Sequence, residues 1–248
     1  MKPLEDRQDA IGHVLLDHLE GRDACEIYER DDGYVAVGGG PAAFFAPFPT
    51  WSIEEREALR HARGRVLDVG MGAGRVALHL QEQGHEVVGI DVSPLAVEVC
   101  RRRGVRDARV LAVEKIGREL RPLDTVVMFG NNFGLFGRPR RARALLRRLH
   151  RLTARDGRIL AASRDPYATA DPYHLAYHER NRARGRAPGQ IRMRARYGPF
   201  MTPWQDLLLV SQAELQEIVT DTKWRVSEIL DSGGGPYVAV LDKVRDRV

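Results

Sequence analysis

Asp68 and Asp91 each sit at the end of an apolar run, and Gly70, Gly72 and Gly74 follow the first at alternate positions in VLDVGMGAGR. A strand that opens directly into glycines and then a helix brings backbone close to a ligand at the carboxyl edge of a parallel sheet. The glycine spacing departs from the dinucleotide fingerprint, because the sixth position counted from Gly70 is Arg75. Asp68 lies just before the loop, where its charge opposes a pyrophosphate but suits an ammonium or sulfonium group. Asp91, in VVGIDVSP, is placed to accept hydrogen bonds from both hydroxyls of a ribose. The structural alternative for Asp91 is a carboxylate capping the helix that starts at Ser93–Pro94.

Other side chains could meet an acceptor. Asn131 and Asn132 in FGNN are amides that fix a donor or acceptor by hydrogen bonding, or else satisfy a turn. DPYHLAYHERN supplies His174, Tyr177 and His178 as candidate catalytic groups for removing a proton. On a helix the two histidines share a face, but no third ligand is evident and no metal site is expected. Tyr34 and Trp51 belong to an aromatic, glycine-rich segment that suits a lid over a cation or planar acceptor, or that packs on the sheet. In IRMRARY, Arg192 and Arg194 alternate with apolar residues, and they either select an anionic substrate or form a solvated face.

These residues need a scaffold. Apolar runs predict strands at Arg65–Val69, Glu86–Ile90, Arg109–Val113, Leu123–Phe129 and Arg158–Ser163, with helices between them, as βα units building a parallel sheet require. The helices expected are 74–83, stopped by Gly84, one opened by Ser93–Pro94, and 139–154 with apolar Ala142, Leu145, Leu149 and Leu152. A helix near 211–222, a strand at 224–230 and a strand at 237–242 close the chain, the strands as an antiparallel edge hairpin. Residues 165–205 break the pattern and read as an insertion after the fifth strand, with 191–197 a half-buried strand. The first 60 residues carry a helix near 10–20 and then irregular sequence.

The chain has 248 residues, 43% hydrophobic and 29% charged, which fits a soluble globular protein with one sizeable core. No apolar stretch reaches the length of a membrane span, and acidic residues near the start argue against a signal peptide, so a cytoplasmic location without membrane partners is expected. Cys25 and Cys100 suggest neither disulfide nor zinc site, and read as small packing residues. The net charge of +5 comes almost wholly from arginine, since lysine occurs only at Lys2, Lys115, Lys223 and Lys243. It suits an anionic partner or an ordinary solvated surface.

A ribose-binding acid beside a loop that favours a cationic amino-acid end describes a site for S-adenosylmethionine. The pairing of VLDVGMGAGR with VVGIDVSP resembles the class I S-adenosylmethionine-dependent methyltransferases, and LDTVVMFGNN and LTARDGRILAASRD look like that family's fourth and fifth strands. The resemblance covers residues 60–164 well and the final helix and hairpin loosely. It implies a Rossmann-like, doubly wound α/β fold whose seven-stranded, mostly parallel sheet has an antiparallel last strand. It also implies that Asp68, Gly70, Met71, Gly72 and Gly74 meet the methionine part of the cofactor, Asp91 and Val92 the ribose, and Glu114 the adenine. Gly130 and Asn131 then face the cofactor and Asn132 the acceptor.

The function expected is methyl transfer to N, O or C of a small molecule. Residues 1–60 would form a lid segment, and 61–248 the cofactor domain with a substrate cap at about 165–205. Two alternatives remain: an RNA or ribosomal-protein methyltransferase using the arginine-rich insertion, and a cofactor-binding protein without turnover.

Overall fold

The computed structural model describes residues 2–120 and 122–244; the outer ends of the expected 1–60 and 61–248 segments, residue 1 and residues 245–248, lie outside it. In chain order its helices are α1 (Ala10–Leu19), α2 (Ala42–Phe45), α3 (Ile53–Leu59), α4 (Arg75–Glu82), α5 (Pro94–Arg102), α6 (Pro139–Leu152), α7 (Pro172–Ala183) and α8 (Gln212–Val219). Its strands are β1 (Ile27–Arg30), β2 (Val35–Val37), β3 (Arg65–Val69), β4 (Glu86–Asp91), β5 (Ala108–Val110), β6 (Leu123–Met128), β7 (Thr153–Arg164), β8 (Gln190–Tyr197), β9 (Phe200–Met201), β10 (Gln205–Leu208), β11 (Trp224–Leu230) and β12 (Pro236–Lys243).

Seven strands form one sheet in the order β11-β12-β7-β6-β3-β4-β5. Pairs β3–β4, β4–β5 and β6–β7 are parallel, while β12 runs antiparallel to both β7 and β11. The connection over residues 231–235 is too short for a parallel crossover, which explains that reversal. The architecture is therefore the Rossmann-like one with an antiparallel last strand. The expected strand at 109–113 is shorter, because the chain leaves β5 at Val110 and turns into a 3₁₀ segment at Val113–Lys115.

The chain divides into two compact units. The first holds Met1–Trp51, Arg65–Ile116 and Arg192–Gln205. Here β3 and β4 are continuous apolar runs because parallel strands are covered on both faces, and α5 turns Ala96, Val97, Val99 and Cys100 inward. Leu15 of α1 packs with Ala73, Ala96 and Val99, with Phe44 and Phe45 of α2 against the same cluster. The residues after α1 are less irregular than expected, since β1 and β2 form a hairpin that pairs through β1 with β8. A hairpin this short carries little periodic signal in sequence.

The second unit holds Ser52–Gly64, Gly117–Ile191 and Asp206–Val248. The stripe predicted on α6 is buried at Ala142, Leu145, Leu149 and Leu152, and Trp224 donates to the Leu146 carbonyl (2.9 Å). Ser211 caps α8, its hydroxyl accepting from the Glu214 N–H while the Glu214 carboxylate accepts from the Ser211 N–H. No helix among the described residues is long and apolar enough to cross a membrane.

Candidate active site

The glycine loop lies in the first unit. After β3, the Gly70 and Met71 N–H groups both donate to the Ile90 carbonyl (2.9 and 3.1 Å), which pins the loop to the end of β4. Gly72 has φ +54°, and a Cβ there would lie 2.8 Å from the Phe44 ring. Gly74 has φ +82° and opens α4, and a Cβ there would lie 2.8 Å from Val105 and 3.0 Å from Cys100. Backbone handedness and close packing thus both demand glycine at these two positions. Met71 is buried with its sulfur where Gly89 would carry a Cβ, so its main chain, not its side chain, lines the loop.

Asp68 is buried near the end of β3, in register with Gly89 of β4. Asp91 ends β4, its two oxygens accepting from the Gly72 N–H (3.1 Å) and the Ser93 N–H (3.0 Å), and the Val92 N–H also faces it. The capping of α5 falls to Ser93 and not to Asp91, since the Ser93 hydroxyl accepts from Ala96 N (2.8 Å). Burial pushes the Asp91 carboxyl up to about 6; the Ser93 and Gly72 N–H groups pull it down, and the charge of Asp9 adds to the rise. A carboxylate so held suits hydroxyl donors, which favour its charged form. Glu114 lies half-buried in the 3₁₀ turn after β5. Cys100 is buried and its thiol donates to Gly72 O (3.1 Å), whereas Cys25 is exposed and not the packing residue expected.

In the second unit, β6 ends in a turn where Gly130 (φ 64°) and Asn131 (φ 65°) are both left-handed. Asparagine tolerates this conformation better than most residues. The Gly130 N–H donates to Glu55 Oε1 of α3 (3.2 Å), and the Gly134 N–H donates to Asn131 O (2.8 Å). Asn132 begins the following 3₁₀ turn, Asn132–Phe136.

DPYHLAYHERN folds as α7, capped by Asp171, which accepts from Tyr173 N (2.8 Å). His174 is partly exposed, with Nε2 3.8 Å from Asp171. Tyr177 and His178 are buried, and the His178 ring meets Tyr167 edge-on at 5.9 Å.

Register decides the arginines. Glu29 pairs with Arg194 and Ile27 with Arg196, so Arg192, Arg194 and Arg196 share a face with Ile27 and Glu29, while Tyr28, Met193 and Ala195 take the other. Ile27 is exposed, and its partner Val37 is 75% exposed. Arg194 donates to Glu29 (2.7 Å) and lies 4.6 Å over the Trp204 ring. Tyr34 lies under Arg30 (4.6 Å). Trp51 is buried beneath Arg75 (4.2 Å), its indole N–H donating to Ala46 O (2.8 Å).

Asp9, Ser93 and Glu55, to which the sequence alone gives no site role, support these sites, and so does Phe44, which the sequence offers only as one ring of the aromatic lid segment. Asp9 and Ser93 were legible in principle as polar residues just ahead of helical patterns, but Phe44 and Glu55 gain meaning only from three-dimensional neighbours. Among the described residues no group of three or more His, Cys, Asp or Glu side chains is arranged to hold a metal ion.

Residues 66–157 match the methyltransferase domain family model. A crystal structure of an S-adenosylmethionine-dependent methyltransferase from Bacteroides fragilis, bound to S-adenosylhomocysteine, superposes with a TM-score of 0.82 at 29% identity over 98% of both chains. The 2-heptyl-1-hydroxyquinolin-4(1H)-one methyltransferase of Mycobacteroides abscessus is 38% identical over 60 residues, 21% of this chain and 26% of that protein. The Bacillus subtilis protein YqeM is 30% identical over 79 residues, 32% of this chain and 32% of that protein. The chain thus spans about a third or less of the length of these two relatives. With the sheet order and the glycine loop, these likenesses give residues 66–157 a methyltransferase domain and the chain the fold of the class I S-adenosylmethionine-dependent methyltransferases, whose cofactor is S-adenosylmethionine.

Proposed function

We propose that the protein transfers the methyl group of S-adenosylmethionine to a small organic acceptor. The observation that carries the cofactor assignment is Asp91, a carboxylate at the end of β4 bonded to the backbone of the glycine loop through Gly72 N (3.1 Å). In this reading Asp91 and Val92 hold the ribose, Asp68, Gly70, Met71, Gly72 and Gly74 the amino-acid end, and Glu114 the adenine. The bound cofactor supplies a methyl group on a positively charged sulfur, which needs alignment and exclusion of water more than acid–base help.

The small-molecule reading draws support from the M. abscessus relative's named substrate, a quinolone. Gly130, Asn131 and Asn132 keep their proposed cofactor and acceptor contacts. Of the α7 groups, His174 is the proposed proton acceptor, because Tyr177 and His178 are enclosed. Arg192, Arg194, Tyr34 and Trp51 remain proposed acceptor contacts, with Arg194 beside Glu29, Tyr34 under Arg30 and Trp51 under Arg75.

Calorimetric titration with S-adenosylmethionine, S-adenosylhomocysteine and NAD tests the cofactor site. Wild type should bind the two sulfur nucleotides and Asp91→Ala should lose at least about tenfold in affinity, one charge-assisted bond's worth. Preference for NAD would overturn the assignment. Turnover on a metabolite extract, followed as S-adenosylhomocysteine release, tests the acceptor class; release only with RNA or ribosomal protein, or none despite tight binding, would reject it.

A further inference from the structure

Asp9 is the buried residue around which the amino-terminal segment meets the cofactor loop. Its carboxylate is 1% exposed. Oδ1 accepts from the Gly12 N–H (3.1 Å), which caps α1, and Oδ2 accepts from the Ser93 hydroxyl (2.8 Å) and the Leu95 N–H (3.1 Å), in the first turn of α5. One side chain therefore caps two helices from different parts of the chain, and one of its partners, Ser93, is also the residue whose N–H holds Asp91. A second tie lies beside it, where Leu4 N donates to Val92 O (3.1 Å). Gly12 has no room for a side chain, since a Cβ there would run into the Asp9 carboxylate and the Ser93 hydroxyl.

We propose that Asp9 is a positioning residue of the cofactor site, through which α1 fixes the loop of residues 91–95 that carries the carboxylate proposed to receive the ribose. Asp9 touches no cofactor atom in this scheme; it acts through Ser93. The consequence is that residues 4–12, which precede the matched 66–157 domain, belong to cofactor binding as well as to any cover over the acceptor. The inference rests on the reading of Asp91 given above.

Geometry and charge point the same way. The two carboxylates are linked through one serine, and the charge of Asp9 contributes to the raised Asp91 carboxyl. The other titratable groups nearby are the Cys100 thiol of α5, pushed up by burial and by Asp91 and Asp68, and Arg103, which opposes that rise. Cofactor hydroxyls bind the ionised form of Asp91, so affinity should fall as pH drops through about 6. Removing the Asp9 charge must move that midpoint downward, because Asp91 then ionises more readily.

The test is the pH dependence of S-adenosylhomocysteine affinity, measured by calorimetry on the full chain between about pH 5 and 8, for wild type, Asp9→Asn, Asp9→Ala and Asp91→Ala. The expected result is a wild-type midpoint near 6, a lower midpoint in Asp9→Asn by about half a unit or more, and a loss of about tenfold in affinity at pH 8 for Asp9→Ala. Melting curves at pH 8 establish that each variant is folded. Should Asp9→Ala unfold, Asp9→Asn, which keeps the shape and one acceptor, decides the matter. An Asp9→Asn midpoint equal to that of wild type overturns the proposal and leaves Asp9 a helix cap. Wild-type binding that is indifferent to Asp91→Ala overturns the ribose assignment itself, which is a separate failure.

Discussion

Asp91, proposed to receive the ribose, illustrates how a residue suited to binding weakens the fold that holds it. Its carboxyl is raised from an ordinary 3.8 to about 6, so the folded protein binds the proton more tightly than the unfolded chain does. The sign follows: this group's contribution to stability is fully present below the unfolded value and is lost as pH rises through about 6. Relative to Asp91→Asn, the unfolding free energy of the cofactor-free wild type should therefore fall by about 2–4 kcal/mol between about pH 3.5 and 7.5. Urea titrations of both proteins across that range would show it, and a constant difference would refute it. The glycines carry the converse constraint. Gly74→Ala must place a Cβ at φ +82° against Val105 and Cys100, and should cost about 1–3 kcal/mol in the same urea assay.

At the scale of elements, the sequence was most legible where one strong physical signal acted alone. The strand β3 and the loop after it were readable because an apolar run ends abruptly in glycines, and β11 fell on the expected residues 224–230. The positions of Asp68 near the end of β3 and Asp91 at the end of β4 followed from the same pattern. Legibility failed where neighbours far apart in sequence decide the outcome. The hairpin β1–β2 is stabilised by β8, some 165 residues away at the Glu29–Arg194 pair. That pairing also set which way the arginines point, a matter no single strand's alternation reveals. The turn after β6 depends on α3 in the same way, through Glu55, which accepts from the Gly130 N–H. Glu55→Ala leaves that donor without its carboxylate and should lower stability by about 1–3 kcal/mol. Because the lost bond steadies the left-handed Gly130–Asn131 pair, which is proposed to face the cofactor, weaker S-adenosylhomocysteine binding is also expected. An unchanged dissociation constant would mean that the pair does not meet the cofactor.

For the molecule as a whole, the question is whether a net charge of +5 signifies a polyanionic partner. Charge balance alone favours neither answer, but the arginines of the β8 face are already committed in part: Arg194 and Arg196 both approach Glu29, and Arg194 also stacks on Trp204. A surface that binds RNA through phosphates releases one condensed counterion per contact, so affinity falls steeply with salt. Arginines held by a carboxylate release few, since each phosphate must first displace Glu29. The expectation is thus weak RNA binding whose log–log salt slope corresponds to fewer than about two phosphate contacts. Fluorescence anisotropy with a labelled single-stranded RNA between about 50 and 300 mM salt measures that slope directly. Glu29→Gln supplies the contrast: freeing Arg194 and Arg196 should tighten binding and steepen the slope by about one contact. A wild-type slope of about six or more contacts, unaffected by Glu29→Gln, would instead mean that RNA is held elsewhere on the molecule, and the small-molecule reading of the acceptor would have to yield to it.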